Sequence, residues 1–194
     1  MELELSRHRW SSLDSPYADS GVLPDAIRQL CAASDRQTAE LAVTRISRVL
    51  PTHEALSQAS VATASALVSG LWRCDDAVVD LVLGLLADIA AGFEEDASED
   101  VKYSAAHLEC LKEISLGFVA YVEILETSSN VDARTACIDL IAACGLATEW
   151  LTRRAAFFLE SALRLPDMRD FATVIENSLS DLRERIREGG TDLS

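Results

Sequence analysis

The stretch that most constrains this 194-residue chain runs from Phe118 to Cys144. It reads Phe118-Val-Ala-Tyr121-Val-Glu-Ile124-Leu125, then the polar run Glu126-Thr-Ser-Ser-Asn130, then Val131-Asp132-Ala133-Arg134 and on to Ile141-Ala-Ala-Cys144. Two apolar segments separated by five polar residues predict one helix ending, a short turn, and a second helix. Asn130 is placed to accept from the free N–H groups of that second helix as its N-cap. Asp132 suits the positive first turn. Small side chains at Ala133, Ala136, Ala142 and Ala143 let two helices approach closely. A chain organised around such a hairpin packs helix on helix.

The rest of the chain repeats that punctuation. Only four prolines and eight glycines interrupt it, and runs of β-branched residues are absent. Pro24 opens a helix that carries Ile27 and Leu30 to about Ala33. Ser34 or Asp35 caps a second, with Leu41, Ile46 and Val49 on its stripe, ending before Pro51. Thr52 caps a third, from His53 to about Trp72, with Leu56, Val61, Leu67 and Leu71 inward. A fourth, from Asp75 to Ala91, is apolar almost all round and stops at Gly92. Val101 to Glu126 is expected as one long helix, kinked at Gly117. Val131 to Cys144 follows, stopped by Gly145. Leu146 to Leu165 comes next, with Trp150, Leu151, Phe157, Phe158 and Leu163 inward. Asp167 to Glu188 is the last, carrying Phe171, Ile175, Leu179, Leu182 and Ile186 on one side and charge on the other. Residues 1–23 are expected as an irregular arm held by Trp10, Leu13 and Tyr17, and residues 189–194 as a tail. The expectation is a single all-α domain over residues 24–188, a short α-solenoid of about eight antiparallel helices.

Leu125, the polar turn, the Asp132-Ala133-Arg134 step and the following Ala/Ile/Leu run resemble the signature of a HEAT-type helical repeat. The N-terminal half adds Trp10-x-x-Leu13, Tyr17-Ala18 and Val22-Leu23-Pro24, with His53 ahead of an Ala/Thr-rich helix that holds Ser60-Val61-Ala62-Thr63-Ala64. With Leu71-Trp72-Arg73 and Leu85-Leu86-Ala87-Asp88-Ile89-Ala90, this pattern is similar to a family of bacterial HEAT-repeat proteins over most of residues 10–145. The chain departs from it at Glu54-Ala55, where the family tends to have Gln-Gly. The resemblance implies a non-enzymatic scaffold that binds another protein, and similar proteins are often linked to toxin and immunity loci.

Charge points the same way. Residues 51–150 hold 17 acidic and 4 basic groups, a net of −13 out of −15 for the whole chain. A field of that sign repels nucleic acid and anionic membranes, and speeds encounter with basic proteins. The expected partner-binding residues are Asp75, Asp76, Asp80 and Asp88 on the fourth helix and Glu94, Glu95, Asp96, Glu99 and Asp100 in the loop after it. Acidic inhibitors of basic effectors use such complementarity for fast association. The sharper expectation is an immunity-type inhibitor of a basic toxin; the alternative is an adaptor that binds through a concave helix face.

Catalytic chemistry has little to stand on. Asp76 and Asp80 share a helix face and could hold Mg²⁺, but no second metal cluster accompanies them, so the magnesium enzyme is the remotest alternative. His8, His53 and His107 are far apart, with His107 expected on a helix surface. No Gly-x-Ser-x-Gly elbow and no Gly-rich phosphate loop occurs. Arg153, Arg154, Arg164 and Arg169, and later Arg183, Arg185 and Arg187, are matched by nearby acids, which argues against nucleic acid. Five cysteines without a Cys-x-x-Cys pair read as buried thiols of a reducing compartment. The acidic start Met1-Glu2-Leu3-Glu4-Leu5 is unlike a signal peptide, and no apolar run is long enough to span a bilayer. No cofactor and a cytoplasmic location are expected.

Overall fold

A computed structural model of the chain describes residues 1–15, 18–50, 56–92 and 104–190. They form ten α-helices: α1 (Glu2–Arg7), α2 (Leu23–Cys31), α3 (Arg36–Val49), α4 (Gln58–Gly70), α5 (Val79–Ala91), α6 (Ala105–Ser115), α7 (Phe118–Thr127), α8 (Val131–Ala147), α9 (Glu149–Ala162) and α10 (Ala172–Gly190). Four 3-10 turns accompany them, and no strand occurs among the described residues. The all-α expectation holds. No helix among the described residues is long and apolar enough to cross a membrane.

The N-terminal arm is more ordered than expected. Residues 2–7 are helical, and Trp10 is buried with its Nε1 donating to the Leu5 carbonyl at 2.7 Å. The Ser65 hydroxyl of α4 donates to Glu4 at 2.5 Å, and Arg7 reaches Glu113 of α6 at 3.0 Å. Tyr17 lies outside the described residues, as does the expected cap Thr52. Helix α4 starts after Ser57, whose hydroxyl and that of Ser60 form a reciprocal capping box.

Asp35 caps α3, its carboxylate accepting from the Thr38 N–H at 2.8 Å. Gly92 stops α5 at φ 59°, where a Cβ is strained. Two expectations fail for tertiary reasons. The long helix to Glu126 is broken at Leu116–Gly117. There the Tyr121 hydroxyl folds back to donate to the Ile114 carbonyl at 3.0 Å, and its ring takes the space of a side chain at 117. Gly145 does not stop α8, which runs on to Ala147. A Cβ at 145 would lie 2.6 Å from both the Ala155 Cβ and the Leu182 Cδ2, so this glycine marks where α9 and α10 press on α8.

Helix α8 is the centre of the molecule and touches α5, α6, α7, α9 and α10. Cys137, Ile138, Leu140, Ile141 and Cys144 on it are fully buried. Each of the three aliphatic side chains among them contributes about 1.5–3 kcal/mol by leaving water. Asn130 caps it as expected, accepting from the Ala133 N–H at 3.1 Å. Buried Arg134 donates to the Leu125 carbonyl at 2.8 Å and pairs with Asp167, joining α7, α8 and the turn ahead of α10. His107 is buried rather than on the surface, its Nε2 2.8 Å from the Ala90 carbonyl and its ring against Gly92. Leu41 is the reverse case: expected inward, it is exposed.

Candidate functional site

The expected acidic site divides once it is placed in the fold. Asp75 and Asp76 are exposed ahead of α5, and the Asp75 carboxylate accepts from the Ala77 N–H at 2.9 Å. Asp88 is exposed near the far end of α5, so a helix length of roughly 20 Å separates the two groups. Asp80 is a correction. It is only 7% exposed, and its carboxylate accepts from Arg36 of α3 at 2.9 Å and from the Asn130 amide at 3.2 Å. That amide also donates to the Asp76 carbonyl at 3.2 Å. Asp80 therefore holds α3, α5 and the α7–α8 turn together, and is available neither to a partner nor to a metal shared with Asp76. Glu94, Glu95, Asp96, Glu99 and Asp100 lie outside the described residues.

A different surface gathers unusual side chains. Joined through short turns, α7, α8 and α9 pack as two successive antiparallel pairs, which leaves α7 and α9 side by side and running the same way. Between them is a groove of about 210 Å³ lined by Val122, Leu125, Glu126, Phe157, Phe158, Ser161, Ala162 and Leu165. Large apolar side chains are exposed on these two helices and in the turn ahead of α7. Leu116 is 76% exposed, Val119 63%, Trp150 66% and Phe157 63%. Trp150 and Phe157 were expected to pack inward. Instead Leu151, Ala155, Ala156, Leu159 and Ala162 form the buried face of α9. Trp150, Arg154, Phe157 and Ser161, spaced by four, three and four, share the face left over.

The aromatic groups on this face are fixed against one another. Phe158 lies edge-on to Phe157 with centroids 5.5 Å apart, and 6.1 Å from Phe118. The Arg154 guanidinium sits 5.7 Å from the Phe118 ring centroid and 5.8 Å from that of Trp150. Such cation–π contacts are worth about 0.5–1 kcal/mol at exposed sites. Arg154 has no carboxylate partner among the described residues. An exposed apolar patch with a pocket and a cation held over aromatic rings makes this face the candidate site. No group of three or more metal-ligating side chains occurs among the described residues.

The thiols of Cys110, Cys137 and Cys144 carry little nucleophilic character. Burial pushes those of Cys110 and Cys144 up to about 12, and that of Cys137 higher still. Cys31 is lowered, because the half-buried Cys74 thiol donates to it.

No family model matches this chain, and no curated protein and no solved structure is significantly similar to it.

Proposed function

We propose that this protein is a non-enzymatic binding protein that docks another protein across the face formed by α7 and α9. One observation carries this: Phe157 is exposed in the lining of an apolar groove, with Trp150 exposed on the same face of α9 and Val119 exposed one turn before the lining residue Val122 on α7. Leaving these three large apolar side chains in water forgoes the burial energy available to each, which a docked partner recovers. On this view the chain is a HEAT-like helical array. The contacts made in sequence order by α2 and α3, α7 and α8, α8 and α9, and α9 and α10 support it. The packing of α5 and α6 on α8 closes the array into a more compact body.

The second form of the reading is an immunity-type inhibitor that neutralises a basic effector in the cytoplasm. The net −13 over residues 51–150 favours it, with exposed Asp75, Asp76 and Asp88 as contributors. Here the charge sets the association rate and the α7/α9 face the lifetime of the complex. A pull-down from native cell lysate, washed at low and high salt and repeated with Phe157→Lys, separates the cases. A protein retained at high salt by the unchanged chain and lost by Phe157→Lys supports docking on α7/α9. A basic protein lost at high salt whatever stands at 157 moves the site to the acidic surface. No captured protein at either salt overturns the binding function.

A further inference from the structure

Resting on the docking face proposed above, the chemistry of its two ends identifies what it takes. At the end where α7 and α9 begin, Arg154 lies across the rings of Phe118 and Trp150 with its remaining N–H groups unmatched by any carboxylate among the described residues. At the other end Glu126 lines the groove with Leu165, and exposed Glu123 stands one turn back along α7, level with Val122 and outside the lining. Neither acid has an ion-pair partner among the described residues. Between these poles the lining is apolar: Val122, Phe157 and Phe158. The face is thus a strip with a cation at one end, anions at the other and an apolar middle.

We infer that this strip receives an amphipathic α-helix of a partner protein, lying antiparallel to α7 and α9. Two neighbouring parallel helices present ridges and a furrow that a third helix fills. From Trp150 to Ser161 the strip covers about 16 Å, three helical turns. Direction follows from charge. The helix's positive N-terminal end, with a Lys or Arg side chain, meets Glu123 and Glu126, and its negative C-terminal end, with a carboxylate, meets Arg154. Large apolar side chains spaced by three and four seat against Val122, Phe157 and Phe158. A second copy of this chain is the poorer occupant, since each copy carries −15 and the two repel.

The probe is a displayed library of random peptides of roughly 16 residues, about 24 Å as helix, selected on the full chain and then synthesised singly. Enriched peptides are expected to gain helical circular dichroism on binding. They should bind at least about tenfold more weakly, a 1.4 kcal/mol effect, to Phe157→Lys and to Trp150→Ala. Both positions are exposed, and an unchanged melting temperature confirms that these variants fold. Arg154→Glu is expected to weaken binding, and changing the peptide's C-terminal acidic residue to Lys should restore it. Peptides that bind both groove variants as well as the unchanged chain overturn the inference while leaving a binding function intact elsewhere. Groove-dependent peptides that stay extended overturn the helix, and a loss at Arg154→Glu without rescue overturns its orientation. A library that yields no binder overturns the inference alone, because the lysate pull-down is what tests the function beneath it.

Discussion

Asp80 is where one side chain does most for the fold. Its buried carboxylate takes one hydrogen bond from Arg36 and one from the Asn130 amide, across α3, α5 and the turn before α8. Asp80→Ala takes away the carboxylate acceptor of the Asn130 amide and leaves it only the Asp76 carbonyl, and losses of that sort cost about 1–3 kcal/mol. The Thr63 hydroxyl is the opposite case: fully buried on α4, with no hydrogen-bond partner among the described residues. Thr63→Val keeps the shape and removes the unmet polar group, so it is expected to stabilise by about 1 kcal/mol. Urea unfolding checks both, and midpoints that move the same way contradict the assignment. A pH effect belongs to this scale too. The Arg134 guanidinium holds Asp167 below the ordinary carboxylate range, and the Ser65 hydroxyl, helped by Arg7, does the same for Glu4. In each case the folded chain binds the proton less tightly than the unfolded one. The stability they contribute is therefore complete above the unfolded values, 3.8 and 4.5, and is lost as pH falls through the lower folded ones. Unfolding midpoints taken from pH 6 down to pH 3 should drop, and drop less for Asp167→Asn.

Helices meet at small residues, and two glycines show how differently the same substitution acts. Gly84 lies within α5 with nothing within 4 Å of a Cβ placed there, so Gly84→Ala is expected to stabilise by about 0.5–1 kcal/mol through helix propensity alone. Gly145 offers the same gain, but its Cβ would press on Ala155, whose own Cβ cannot turn aside. Overpacking typically costs about 1–3 kcal/mol and wins, so Gly145→Ala lowers the melting temperature where Gly84→Ala raises it. Equal shifts at both sites would disprove a tight α8–α9 crossing. The pair also shows what was legible in the sequence. Caps at Asp35 and Asn130 and the stop at Gly92 were, because each is decided by chemistry within a few residues. The run of α8 through Gly145 was not, because the glycine serves contacts with α9 and α10 far along the chain. A kink at Gly117 was legible, but the full break there depends on a hydroxyl from Tyr121, which periodicity does not register. Trp150 and Phe157 were placed inward because large aromatics dominate any apolar pattern. In α9 the small residues Ala155, Ala156 and Ala162 take the buried face with Leu151 and Leu159, and the aromatics are left outside. The candidate groove was therefore hidden, although every residue of it was visible.

For the whole molecule the decisive quantity is charge. With 32 acidic groups against 17 basic ones, the folded chain concentrates a net −15 that the unfolded chain spreads out. Folding therefore works against self-repulsion. Against this stand ion pairs that are mostly exposed on at least one side, such as Arg28 with Asp25 and Arg183 with Glu160. Exposed pairs contribute about 0–1 kcal/mol each and are screened by salt as well. The two effects respond oppositely to ionic strength, and the excess of 15 negative charges makes repulsion the larger. Added NaCl shortens the Debye length from about 30 Å at 0.01 M to about 8 Å at 0.15 M, less than the width of the fold. The melting temperature is expected to rise by a few degrees over that range, read by calorimetry. A fall would mean that the ion pairs outweigh the net charge. The same screening bears on recognition, because charge acts at long range on approach while an apolar face acts only on contact. A basic partner should associate more slowly as salt rises, yet leave the α7/α9 face at a nearly constant rate. A dissociation rate that climbs with salt as steeply as association falls would place the partner on the acidic surface instead.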